Sequence, residues 1–189
     1  MIHTVINKSV SYSKTYITEL MLPSYANVEG RIPSGILLGI MDKAAFTCAS
    51  RHTGFYCVTA SIDYLEFLTA VDAGEIVHVI AAINYVGNTS LVVGMRVESE
   101  NIRSRVSKHI CTSYFSMVAK DERGKTQQVP GLILETSEEV RRFMEAMIRK
   151  QSNLKSKIAF EQKINELDIY QNLDQLKKER CEVALDLMK

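Results

Sequence analysis

Apolar and polar positions follow two periods along this chain, and they divide it into segments. Four runs, 56–67, 75–86, 90–100 and 108–119, are rich in Val, Ile, Thr and Tyr and read as half-buried strands. Turn residues separate them: Gly74-Glu75, then Gly87-Asn88-Thr89-Ser90, with Asp121-Glu122-Arg123-Gly124 after the last. Residues 8–22 alternate partially (Val10, Tyr12, Thr15, Tyr16, Ile17) and read as one further strand. Pro23 to Pro33 is a loop, with Asn27 and Gly30 as its turn residues. Ser34 is placed to cap a helix running to about Ser50, which His52-Thr53-Gly54 ends. A long helix followed by an antiparallel meander predicts an α+β domain in which the sheet wraps the helix.

Past Pro130-Gly131 the pattern changes. Residues 136–189 contain neither Gly nor Pro, and Thr136 or Ser137 followed by Glu138 and Glu139 marks a helix start. Val140, Phe143, Met144, Met147 and Ile148 recur at helical spacing, as do Leu154, Ile158, Ile164, Leu167, Tyr170, Leu173 and Leu176. This predicts one long or two consecutive amphipathic helices, the first packing near the α+β domain and the second making a helix-pair contact. The expected division is a domain over 1–132 and a helical C-terminal extension over 133–189.

One position breaks the pattern. Asp42 lies in the segment ANVEGRIPSGILLGIMDKAAF (26–46), inside a helix where a charge does not belong. At about 100° per residue it shares an arc with Gly35, Leu38, Ala45, Phe46 and Ala49, so its carboxylate is expected to point into apolar packing. Burying a carboxylate is costly unless something satisfies it or uses it. It is then either a structural acid bonded to backbone amides or a working group. Asn27, fifteen positions earlier, is either a plain turn former or its partner.

Composition narrows the classes. The 189 residues are 46% hydrophobic with a formal net charge of +1, enough for one packed domain plus an appendage and with no global field for nucleic acid. No apolar run is long enough to span a membrane, and MIHTVINKSV lacks the layout of a signal peptide. Cys48, Cys57, Cys111 and Cys181 lack metal-type spacing and read as reduced thiols, which points to the cytoplasm. No two histidines among His52, His78 and His109 have ligand spacing, so no metal is expected. Cys57 before a strand reads as a core thiol rather than a nucleophile.

An ordered series of short motifs runs through residues 10–132: Asn27 with Gly30, Met41-Asp42, Val58-Thr59-Ala60-Ser61, Phe67-Leu68, Gly74-Glu75 and Tyr85-Val86-Gly87. In this order and at these gaps the chain resembles the hotdog-fold acyl-CoA thioesterases, in particular the broad-specificity cytosolic acyl-CoA hydrolase branch. The resemblance implies a hydrolase that splits acyl-CoA into a carboxylic acid and free CoA, with no cofactor beyond the CoA of its substrate. Asp42 would act as base or nucleophile and Asn27 would hold the water or the carbonyl. The Asn and Asp of one site would come from opposite subunits of a homodimer, itself part of a higher homo-oligomer such as a trimer of dimers. Backbone N–H groups of Ser34, Gly35 and Ile36 at the helix start would face the thioester oxygen. Gly87, Asn88, Thr89 and Ser90 match the nucleotide-side turn, with Arg103, Arg105 and Lys108 near it in sequence as a source of positive charge or as a solvated turn. Asn88 stands where relatives often carry a basic residue, and Pro33-Ser34 where many have an aromatic and a glycine. A different class fits the same segments: a non-catalytic hotdog module that senses acyl-CoA or a nucleotide and signals through its helical tail. A dehydratase of this fold would want a His beside its carboxylate, and none lies between Asn27 and Asp42.

Overall fold

The computed structural model describes residues 6–184, the side chains of Tyr170 and Gln171 excepted. The chain divides into two compact units, Met1–Met147 and Ile148–Lys189. In the first, five antiparallel strands form a sheet: β2 (Thr15–Leu20), β3 (Tyr56–Asp63), β4 (Glu75–Val86), β5 (Ser90–Asn101) and β6 (Ser107–Lys120), in the spatial order β2-β4-β5-β6-β3. Helix α2 (Ser34–Thr53) lies against one face of this sheet, giving the hotdog arrangement. The strands alternate as half-buried strands should. Val77, Val79, Ala81 and Ile83 of β4 point inward with Leu91, Val93, Met95 and Val97 of β5 and with Phe115, Met117 and Ala119 of β6. From the helix, Leu37, Ile40, Met41, Ala44, Ala45, Cys48 and Ala49 complete the core. Four of those seven are Ala or Cys, short enough for the helix backbone to approach the sheet closely. Each of the larger three contributes about 1.5–3 kcal/mol by burial.

Residues 8–22 are not one strand. Lys8–Ser9 (β1) pairs in parallel with Leu132–Ile133 (β7), Val10–Ser13 (α1) is a single helical turn, and only Thr15–Leu20 joins the main sheet, on β4. The alternation was incomplete because Val10 and Ser13, three apart, are both buried under the helical turn. The strand expected over 56–67 ends at Asp63, where Tyr64 turns to φ 30. Helix α2 ends as expected, with Gly54 at φ 78 donating its N–H to the Ser50 carbonyl. Its start differs. Pro33 occupies the capping position without a side-chain acceptor, and Ser34 is the first helical residue. Proline's fixed φ suits that place, so the helix begins without a capping hydroxyl.

Of the two expectations for the tail, one long helix or two consecutive ones, the structure has the second: α3 (Ser137–Asn165) and α4 (Ile169–Leu176). Thr136 Oγ1 accepts the Glu139 N–H and Glu139 Oε2 accepts the Thr136 N–H, a reciprocal cap that fixes the start of α3. Within the first unit, Phe143 of α3 meets Tyr85 with ring centroids 5.1 Å apart. Tyr170 of the second apolar series has no described side chain.

Candidate active site

Asp42 is not buried. Its carboxylate lies on an exposed flank of α2 together with Gly35, Gly39, Lys43 and Phe46. Ala45 and Ala49 share its arc and are buried, but they are too short to wrap over it, and Gly35 and Gly39 add no cover. The helical arithmetic expected this carboxylate to point into apolar packing, and it does not: of its arc only Ala45 and Ala49 are buried, while Gly35 and Phe46 are exposed and Leu38 half-buried. One donor is aimed at the carboxylate: Thr59 of β3 gives its hydroxyl proton to Asp42 Oδ1 over 2.6 Å. The same hydroxyl lies 3.3 Å from Met117 Sδ. Thr59 was visible as part of Val58-Thr59-Ala60-Ser61, but the seventeen-residue separation hides the pairing until β3 is laid beside the helix.

Asn27 heads a loop stitched to itself. Its Oδ1 accepts the Glu29 and Arg31 N–H groups at 3.0 Å each, its own N–H donates to the Arg31 carbonyl, and its carbonyl accepts the Gly30 N–H. Gly30 adopts φ 79, which a side chain would resist. The side-chain carbonyl is therefore spent on the turn, and the exposed Asn27 amide nitrogen is the group left to donate outward. No hydrogen bond joins Asn27 to Asp42 among the described residues.

At the start of α2, the Ile36 N–H donates to the Pro33 carbonyl at 3.0 Å. That removes Ile36 from the expected set of free donors and leaves Ser34 and Gly35 at the positive end of the helix. Beside Ser34 opens a cavity of about 280 Å³, lined by Ile32, Leu37, Phe67, Thr69, Ala70 and Val71. The Gly87–Ser90 turn joins β4 to β5, closed by Gly87 N–H to the Ser90 carbonyl at 2.7 Å. The carbonyls of Asn88 and Thr89 accept the N–H groups of Val129 and Ala119, so the end of β6 and the segment after it brace this turn. Arg103 and Arg105 are not near it. They sit in the β5–β6 turn, at the other end of β5, whose twelve residues span roughly 40 Å. Lys108 is committed to Glu75 at 2.9 Å. Of the two readings, the solvated turn holds for Arg103 and Arg105, because consecutive hairpin turns lie at opposite ends of a sheet.

The other candidates are closed off. Burial pushes the Cys48 thiol up to about 12 and the Cys111 thiol to about 11, and it raises Cys57 as well. None is a thiolate at neutral pH. His52 is fully buried, with Nε2 3.2 Å from the Pro130 carbonyl and Nδ1 3.4 Å from Ser13 Oγ. Burial holds its pKa below the ordinary histidine value, against the pull of the Pro130 carbonyl and with help from the charge of Lys8.

This frame recurs in known proteins. The thioesterase superfamily model matches residues 30–106. A solved hexameric acyl-CoA thioesterase in its apo form is 33% identical, superposes with a TM-score of 0.78, and covers 81% of this chain and 98% of its own. The chain belongs to the thioesterase superfamily. This thioesterase is also 37% identical to protein VdlD of Helicobacter pylori over 139 residues, 74% of the chain and 79% of that protein. The acyl-CoA hydrolase of Staphylococcus aureus, solved with butyryl coenzyme A and coenzyme A, is 29% identical with a TM-score of 0.74, over 84% of this chain and 97% of its own. Variants of the Staphylococcus aureus enzyme have been characterised that carry alanine for an asparagine, for an aspartate fifteen positions later and for a threonine seventeen beyond that. Those are the spacings of Asn27, Asp42 and Thr59 in this thioesterase.

Proposed function

We propose that this protein hydrolyses acyl-CoA thioesters, with Asp42, Thr59 and Asn27 as the working groups. The observation that carries the site assignment is the 2.6 Å bond from Thr59 to a carboxylate on an exposed helix flank, at the spacing met in the Staphylococcus aureus enzyme. A carboxylate that only stabilised the fold would have its oxygens taken up by buried donors. Asp42 instead keeps one oxygen fixed and the other free.

Water is the nucleophile. Asp42 takes its proton as the oxygen adds to the thioester carbonyl, the carbon–sulfur bond breaks, and the sulfur leaves with a proton as free CoA while the acyl group leaves as a carboxylic acid. The Ser34 and Gly35 N–H groups stabilise the oxyanion, and the Asn27 amide nitrogen holds the water or orients the carbonyl. Ile36 is set aside as a donor. The acyl end enters the cavity beside Ser34, and the CoA nucleotide lies across Gly87, Asn88, Thr89 and Ser90. No cofactor beyond the substrate's own CoA takes part.

The exposed flank of α2 and the adjoining edge strand β3 are open in a single chain, and a second copy would cover both. The working unit is therefore a homodimer in which Asn27 of one subunit faces Asp42 of its partner, within a higher homo-oligomer of the kind the hexameric relative forms. The thioesterase domain spans 1–132, with 133–189 as a helical extension, and the free thiols support the reading of a cytoplasmic protein. A thiol-release assay across short, medium and long acyl-CoA tests the reaction. Free CoA in stoichiometric amount with the acid is expected. Binding of every acyl-CoA without release would make the protein a sensor instead.

A further inference from the structure

Glu75 is a buried acid that the reaction above does not use. It is 5% exposed, and three donors converge on its carboxylate: Ser99 Oγ at 2.6 Å, Lys108 Nζ at 2.9 Å and the Asp72 N–H at 3.2 Å. Burial pushes its pKa up, but the Ser99 hydroxyl, Lys108 and the Asp72 amide together outweigh it and leave it below the ordinary carboxylate value. Glu75 is thus ionised at neutral pH, and an ionised acceptor holds its donors more strongly than a neutral one.

What it holds is a tight turn, Asp72-Ala73-Gly74-Glu75, closed by Glu75 N–H to the Asp72 carbonyl with Gly74 at φ 88. Both arms of the Asn27 loop are bonded to this turn. On the entering arm, Gly74 N–H donates to the Met21 carbonyl at 2.7 Å and Met21 N–H to the Glu75 carbonyl at 2.9 Å. On the leaving arm, Ala73 N–H donates to the Gly30 carbonyl at 3.0 Å, Arg31 bridges Asp72, and Ile32 N–H donates to the Val71 carbonyl at 2.8 Å. Arg31 is also the residue whose N–H grips Asn27 Oδ1, and Ile32 leads through Pro33 into the first turn of α2. A continuous set of bonds therefore runs from Ser99 on β5 and Lys108 on β6, through Glu75 and the Asp72 turn, to Asn27 and to the Ser34–Gly35 donors.

We propose that Glu75 is a positioning residue for hydrolysis: it pins the Asp72–Gly74 turn to the sheet and so fixes where Asn27 and the helix start stand relative to the substrate. The proposal rests on the assignment of Asn27 as a site residue. A packing role alone would need no hydrogen-bond acceptor here. The turn needs a buried acceptor for the Asp72 N–H, and Lys108 and Ser99 give that acceptor a fixed place.

The test replaces the pair without leaving a buried charge unmatched. In E75L/K108M, kcat should fall about tenfold or more through misplacement of Asn27 while KM changes less than about threefold, with oligomer size and cooperative melting retained. E75Q/K108M keeps an amide oxygen for Ser99 and the Asp72 N–H, and should return kcat to within about threefold of wild type. Adding N27A to E75L/K108M should cost nothing further over N27A alone, because both act through one group. Wild-type kcat in E75L/K108M beside a nearly inactive N27A would overturn the positioning role and leave the site assignment standing. So would losses that simply multiply in the combined variant. An active N27A would remove the site assignment and the proposal with it. Should E75L/K108M not fold, S99A carries the test: it keeps the charge pair and removes one tether. A loss of kcat of about threefold at unchanged KM is then expected. Unchanged kcat would refute the proposal.

Discussion

Helices α2 and α3 are both long and both patterned at helical spacing, yet they have opposite fates. Of the 20 residues of α2, nine are buried, and its one acid stands in the open. Of the 29 residues of α3, the described buried residue is Ala146 alone, and Val140, Met144, Met147, Ile148, Leu154, Ile158, Phe160 and Ile164 are all exposed. The difference is in side-chain size. Helix α2 offers Ala44, Ala45, Cys48 and Ala49 to the sheet and can sit close to it, whereas α3 carries large apolar residues diluted by charge and ion pairs such as Arg142–Glu138. An apolar stripe shows which face prefers burial. It does not show whether this chain supplies the partner. On α2 the exposed flank carries the proposed chemistry, and on α3 the exposed stripe is the proposed surface for assembly.

The strongest way to break that contrast is to remove the acid. Asp42→Ala should abolish turnover with a native melting curve, since it deletes an exposed charge and no packing. Half of wild-type turnover in a folded D42A protein would end the assignment. Mixing subunits sharpens it further. N27A and D42A homodimers should each be nearly inactive. After joint refolding, about half the dimers are mixed, and each mixed dimer holds one intact site, so activity should return to roughly a quarter of wild type. Activity that stays at the level of the separate variants would mean that Asn27 and Asp42 serve one subunit.

A smaller loss is expected on β3. Thr59→Ala removes a hydrogen bond to a charged group, worth about 1.5–3 kcal/mol, so kcat should drop about ten- to a hundredfold with little change in KM. An unchanged kcat would reduce Thr59 to a bystander. On the other helix the expectation reverses: a chain ending before Gln151 should keep its activity per site and change its oligomer size or solubility. Lost activity with assembly intact would show that the tail belongs to the site.

The smallest effect concerns the buried end of α2. His52 has a folded-state pKa below its unfolded value, so the unfolded chain takes up the proton first. The stability contributed by neutral His52 is present above the unfolded value of about 6.5 and is lost as pH falls from there toward the folded value. Melting midpoints between pH 8 and 5.5 should decline across that window, and His52→Gln should flatten the decline. A slope unaffected by the substitution would assign it to other groups.

Much of the fold was legible because strands β4, β5 and β6 and helix α2 carry their burial pattern locally, with Gly74 and Gly54 as punctuation. The N-terminal strand was not, since residues 8–22 divide between two sheets and a helical turn, and the division depends on Leu132–Ile133 far along the chain. The site was partly legible. Asn27 and Asp42 stood out as a turn residue and as a charge in an apolar helix, but Thr59 waited for β3 to be laid beside α2.

The sequence by itself determined the periods, the turns, the presence of an acid at position 42 and the helical nature of the tail, because each depends on neighbours within a few residues. Only the tertiary structure decided that Asp42 faces outward, that Lys108 belongs to Glu75 rather than to a nucleotide, and that Arg103 and Arg105 lie a full strand away from Gly87–Ser90. These depend on which residues meet across the sheet and on how large they are where they meet. Chain distance carries neither quantity, since consecutive hairpins place their turns at opposite ends of the sheet and short side chains on a helix flank leave its one acid uncovered.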